Sequence, residues 1–67
     1  MKPVTPAQMM KLLQAHGWSV ARITGSHFIF SHPDKAIVIP VPNHSRDLRQ
    51  GTQASIMKAA GISREEL

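Results

Sequence analysis

The stretch WSVARITGSHFIFS, residues 18–31, is rich in β-branched and aromatic side chains and is broken only at Gly25-Ser26. Two central residues with glycine first suit a type II′ hairpin turn, because the first of them needs a positive φ. Thr24 and His27 then sit opposite one another. Pairing outward from that turn sets Ile23 across from Phe28, Arg22 from Ile29, Ala21 from Phe30 and Val20 from Ser31. Side chains alternate between the faces of a strand, so this register sorts the hairpin into two sets. Ala21, Ile23, Phe28 and Phe30 are apolar and fit for a core. Val20, Arg22, Thr24, His27, Ile29 and Ser31 are mixed and expected to face outward.

Downstream of the hairpin, a loop at His32 to Lys35 leads to AIVIPVP, which reads as a third strand with Ile37, Ile39 and Val41 on the core face. Pro40 and Pro42 lack amide protons, which places this strand at an edge of the sheet or at its end. Upstream, Thr5-Pro6-Ala7-Gln8 carries a hydroxyl N-cap, a proline at the first helical position and a glutamine that completes a capping box. Met9, Leu12, Leu13 and His16 follow at helical spacing, and Gly17 can end the helix in a left-handed conformation, giving a first helix of roughly residues 6–16. Beyond the turn-like NHSRD, Gly51-Thr52 can open a second helix that carries Ile56, Met57 and Ala60 and stops at Gly61. Ser63-Arg64-Glu65-Glu66 reads as another capping box. The order is α-β-β-β-α, an α+β class, and the expected arrangement is a small antiparallel sheet with both helices on one face.

Composition narrows what such a domain can do. The chain has 67 residues, room for one domain spanning residues 1–67 and no second core. Eight Lys and Arg against four Asp and Glu give a formal charge of +4. On so small a surface that charge attracts polyanions, nucleic acid foremost, although a soluble basic surface without a binding role has the same composition. With no cysteine there is neither a disulfide framework nor a zinc ribbon, as suits a reducing cytosol. No apolar run approaches about 18 residues and the N-terminus carries no secretory pattern, so a cytoplasmic protein without a membrane span is expected.

His27 is the residue on the outward set with chemistry to offer. An unperturbed imidazole titrates near pH 6.5 and exchanges protons around neutrality. RNA carries a 2′-hydroxyl that attacks the adjacent phosphate once a base removes its proton, while cations hold the phosphate as its charge grows. No metal or other cofactor is needed, and the expected products are a 2′,3′-cyclic phosphate and a 5′-hydroxyl. Arg22, on the same face by register, is the best-placed cation. Lys35, Arg46 and Arg49 are further candidates for RNA contact.

Among the other histidines, His16 ends the apolar stripe of the first helix and reads as structural, while His32 reads as a solvated turn residue. His44, in VPNHS, follows the third strand and is a candidate second proton carrier. The four histidines are spaced by 11, 5 and 12 residues, which matches no zinc arrangement. Trp18, Phe28, Phe30 and Met57 are expected to pack in the core or at its edge rather than to stack on bases.

Three segments in order, HGWSVARITGSHFIFSHPD, then IPVPNHS followed by DL, then GTQASIMKAAGIS, give the chain a clear likeness. It resembles the HicA family of bacterial toxins, the mRNA interferases of type II toxin–antitoxin systems. The resemblance implies a fold like a double-stranded-RNA-binding domain and a metal-independent endoribonuclease that cleaves mRNA until a cognate HicB-type antitoxin binds it. It also implies that the histidine of the Gly-Ser-His motif is catalytic, here His27 after Gly25 and Ser26, with His44 at the family's histidine after Val-Pro. Phe28 stands where many members carry a second histidine or a polar residue. A non-catalytic RNA-binding module on the same fold is the alternative reading. A third is a protein-interaction piece for an acidic partner.

Overall fold

A computed structural model describes all of residues 1–67. The first helix, α1, runs over Pro6–Ala15 and begins as its sequence dictates. Thr5 Oγ1 accepts from the Gln8 amide at 3.2 Å and Gln8 Oε1 accepts from the Thr5 amide at 2.9 Å, so two amides that the helix itself leaves unpaired are both satisfied. After the C-cap at His16, Gly17 takes φ 91° and turns the chain toward the sheet.

Three antiparallel strands follow: β1 (Ser19–Thr24), β2 (His27–His32) and β3 (Lys35–Pro42), in spatial order β1-β2-β3. The prolines of β3 therefore lie on an edge strand, where a missing amide proton breaks no second ladder. The second helix, α2, spans Gln50–Ala60 and ends at Gly61, whose φ of 71° lets its amide donate back to the Lys58 carbonyl. A single 3₁₀ turn, Arg64–Glu66, completes the chain. Ser63 caps it through the Glu65 amide, but the expected reciprocal bond from Glu66 is absent because that carboxylate meets His16 Nε2 at 2.6 Å instead. The result is an α-β-β-β-α domain of the double-stranded-RNA-binding-domain type.

One core joins the elements, built from Met9 and Leu13 of α1, Phe30, Ile39 and Val41 of the sheet, and Ile56, Met57 and Ala60 of α2, with Val4, Trp18, Leu48 and Ile62 from the connections. Gln53 is its only fully buried amide side chain, and both of its ends are used. Its Oε1 accepts from the Val4 amide at 3.2 Å and its Nε2 donates to the Lys2 carbonyl at 2.6 Å. With Leu48 N–H donating to the Val4 carbonyl at 2.8 Å, these bonds fasten the N-terminal segment across α2.

The hairpin register holds next to the turn and changes away from it. Thr24 faces His27, Ile23 faces Phe28 and Arg22 faces Ile29 as expected, but Val20 then faces Phe30 and Ser19 faces Ser31. Ala21 is the extra residue of a β-bulge and has no partner, so it does not join the core, and Val20 is carried to the helix side. There Val20 borders a groove with Met10 and Gln14 of α1 and with the half-buried Phe28. Ile23, expected in the core, is 58% exposed. Both helices pack chiefly against β3, and every residue of β1 is open to solvent.

A second irregularity corrects the third strand. Between the pairs Phe30–Ile39 and His32–Lys35, β3 advances four residues while β2 advances two. Alternation is lost over that segment, and Ile37, expected beside Ile39 and Val41, is 49% exposed. Ile29 shows the opposite deviation. It points away from the helices yet is only 9% exposed, because it sits on the central strand between Arg22 on one side and Pro40 on the other.

Candidate functional site

The site begins at the hairpin turn. Gly25 has φ 57° and Ser26 is not in the positive region, the combination that a type II′ turn requires. A Cβ on Gly25 would meet nothing within 4 Å, so glycine is needed there for its backbone angle and not for space. The Ser26 carbonyl accepts from the Asn43 amide at 2.7 Å, which ties the turn to the chain leaving β3.

His27 is the first residue of β2, flanked across the sheet by Thr24 and Pro42, and it is exposed. Because Phe28 and Phe30 point to the helices, alternation puts His27 with Ile29 on the uncovered face. Arg22 sits opposite Ile29 and hence diagonal to His27. Diagonal neighbours lie about 7–8 Å apart at Cβ, a gap that an arginine side chain spans.

The four histidines divide by their bonding. His16 donates from Nε2 to the Glu66 carboxylate. His32 is half-buried, not the solvated turn residue expected. Its Nε2 donates to the His16 carbonyl at 3.1 Å, its Nδ1 accepts from the Asp34 amide at 3.1 Å, and its ring meets Trp18 edge-on at 5.2 Å. His44 accepts from the Arg46 amide through Nδ1 at 3.3 Å, which makes Nε2 the protonated nitrogen of the neutral ring. Only His27 has both nitrogens free of protein partners.

The chain leaving β3 is tied to the turn at Asn43 and runs on to Arg49 at the start of α2. His44, Arg46, Asp47 and Arg49 line a cavity of about 240 Å³ that has no apolar residue in it. Arg49 is the N-cap of α2, but its side chain makes no capping bond. The one charge-type contact of the molecule joins His16 and Glu66, so the Arg46 and Arg49 guanidinium groups are unpaired even though Asp47 lines the same cavity.

Lys35 is placed differently. It pairs with His32 at the far end of the ladder from His27, five residues along β2 and hence about 16–17 Å away. The structure thus places Arg22 diagonal to His27 and starts the segment carrying His44, Arg46 and Arg49 at the His27 end of β3, while Lys35 lies at the other end; Arg49 also lines the groove between β3 and α2 with Val38 and Pro40. The link from Asn43 to Ser26 and the position of Asp47 in the cavity carry no signal in the sequence. The role of His32 carries none either; it emerges only from the fold, where a Cβ on Gly17 would stand 2.8 Å from His32 Nε2. No three of the His, Asp and Glu side chains converge as ligands to one ion would. No helix is long and apolar enough to cross a membrane.

A three-stranded sheet backed by two helices, with a free imidazole at a tight turn on its open face, defines a small basic domain of the double-stranded-RNA-binding-domain type. The family model described as the HicA toxin of bacterial toxin–antitoxin systems matches residues 7–62. The chain belongs to that family and is the toxin of a toxin–antitoxin pair. A comparison with curated proteins finds no match.

Proposed function

We propose that this toxin is an endoribonuclease that cleaves mRNA with His27 as its general base and without a metal. The observation that carries the proposal is that His27, alone among the four histidines, is exposed with neither ring nitrogen engaged, while the other three are held by neighbours. An imidazole in that state can accept the proton of a ribose 2′-hydroxyl. The freed oxygen bonds to the adjacent phosphorus, the bond from phosphorus to the 5′ oxygen breaks, and that oxygen leaves with a proton from water or a second acid. The products are a 2′,3′-cyclic phosphate and a 5′-hydroxyl. Arg22, diagonal to His27, meets the charge that builds on the phosphate, and Arg46, Arg49 and Lys35 hold RNA on either side. A HicB-type antitoxin inhibits by covering the His27 face, and the enzyme works where mRNA is, in the cytoplasm.

The test is to incubate labelled RNA with the wild-type protein and with His27→Ala in the presence of chelator, and to identify the product ends. Discrete cleavage with cyclic-phosphate ends by the wild type alone is expected. Intact RNA that is nonetheless bound would mark the domain as a non-catalytic RNA-binding module.

A further inference from the structure

We propose that the cavity formed by His44, Arg46 and Arg49 is a phosphate subsite that grips the RNA backbone beside the bond cut at His27. The inference rests on RNA being the ligand of the His27 face. Its chemistry is legible in the lining. Arg46 and Arg49, neither of them in an ion pair, line a cavity without apolar residues together with a histidine whose Nε2–H is free to donate. Guanidinium matches phosphate oxygens in pairs, and a neutral imidazole adds one further donor. Asp47 belongs to the same lining and sets the charge. Two arginines less one carboxylate leave a single net positive charge, which matches the single negative charge of a phosphodiester better than the double charge of a terminal phosphate.

Position supplies the second argument. Pro42 lies directly across from His27, and Asn43 donates to the carbonyl of Ser26, the residue before it. His44 is thus two residues from the His27 row, at most ~7 Å of chain. A strand whose scissile phosphate is at His27 and which runs along this edge reaches the cavity next. The Asn43–Ser26 bond holds the two in fixed relation. The cavity therefore positions RNA without touching the reacting atoms.

The test uses His27→Ala protein, which keeps RNA intact, and a short labelled single-stranded RNA titrated across a salt series. Each phosphate contact to a single strand contributes about 0.7 to the slope of log K against log salt. Adding Arg46→Gln and Arg49→Gln together should lower that slope by ~0.7. The charge-matched pair Lys11→Gln and Lys58→Gln, exposed on the two helices, should leave it in place. With His27 intact, the Arg46→Gln/Arg49→Gln protein should show a raised KM and a kcat within a few-fold of wild type, as loss of a ground-state contact requires. An unchanged slope in a protein whose wild type cleaves RNA overturns the subsite and spares the ribonuclease reading. A lowered slope in a protein whose wild type never cleaves overturns the ribonuclease reading and spares the subsite. Equal loss from both charge-matched pairs, or loss of antitoxin binding with RNA binding untouched, also overturns the subsite.

Discussion

Gln53 has no exposed surface, and the two ends of its amide replace the strand partner that the N-terminal segment lacks. Gln53→Leu keeps the volume but leaves the Val4 amide and the Lys2 carbonyl without those partners, so urea unfolding should show a loss of about 1–3 kcal/mol. His27 is the contrasting case. His27→Ala removes an exposed side chain with no intramolecular bond, so stability should stay within about 0.5 kcal/mol of wild type while cleavage falls by at least ~100-fold. Gly17→Ala should cost about 1–2 kcal/mol in the same unfolding assay. Its φ of 91° disfavours any Cβ, and that Cβ would press on a His32 ring already fixed by two hydrogen bonds. The exposure of His27 was legible in the sequence, since a two-residue turn fixes the register of its nearest pairs. The burial of Gln53 was not, because a polar residue inside a helix reads as surface until its distant partners are known.

Helices and strands with local signals came out close to their reading, the incomplete Ser63–Glu66 box excepted. The Thr5–Gln8 box is complete within four residues, and Thr5→Ala should destabilise the domain by about 1 kcal/mol in thermal or urea melts. Irregularities in the ladders were hidden for a physical reason. At the β1 bulge, Val20 and Ala21 are neighbouring small apolar residues, either of which could occupy the core face without a polar penalty. The same holds for Ile37, Val38 and Ile39 in β3, where three apolar residues in succession leave the phase of alternation undetermined. Tertiary packing decided both cases by setting the helices against β3. Arg22 kept its predicted place on the His27 face because it lies between the bulge and the turn, where the expected pairing survives.

Over the whole molecule the formal charge is +4, and none of the eight Lys and Arg side chains is held in an internal salt bridge. Most of the cationic surface is therefore free for a partner, and the small size of the domain leaves it open to stabilisation by one. An antitoxin present at about one hundredfold over its Kd should add about 2.7 kcal/mol and raise the melting temperature by roughly 10–20 °C. Scanning calorimetry with and without the antitoxin checks this, and an unchanged transition would mean that the pair does not form through the folded toxin. The sheet adds a constraint of its own. Along β3, Pro40 and Pro42 interrupt the row of amides that another strand would need, whereas β1 carries none. Any assembly that lengthens this sheet can grow from one flank only, so it halts after a single addition and never propagates into a fibre.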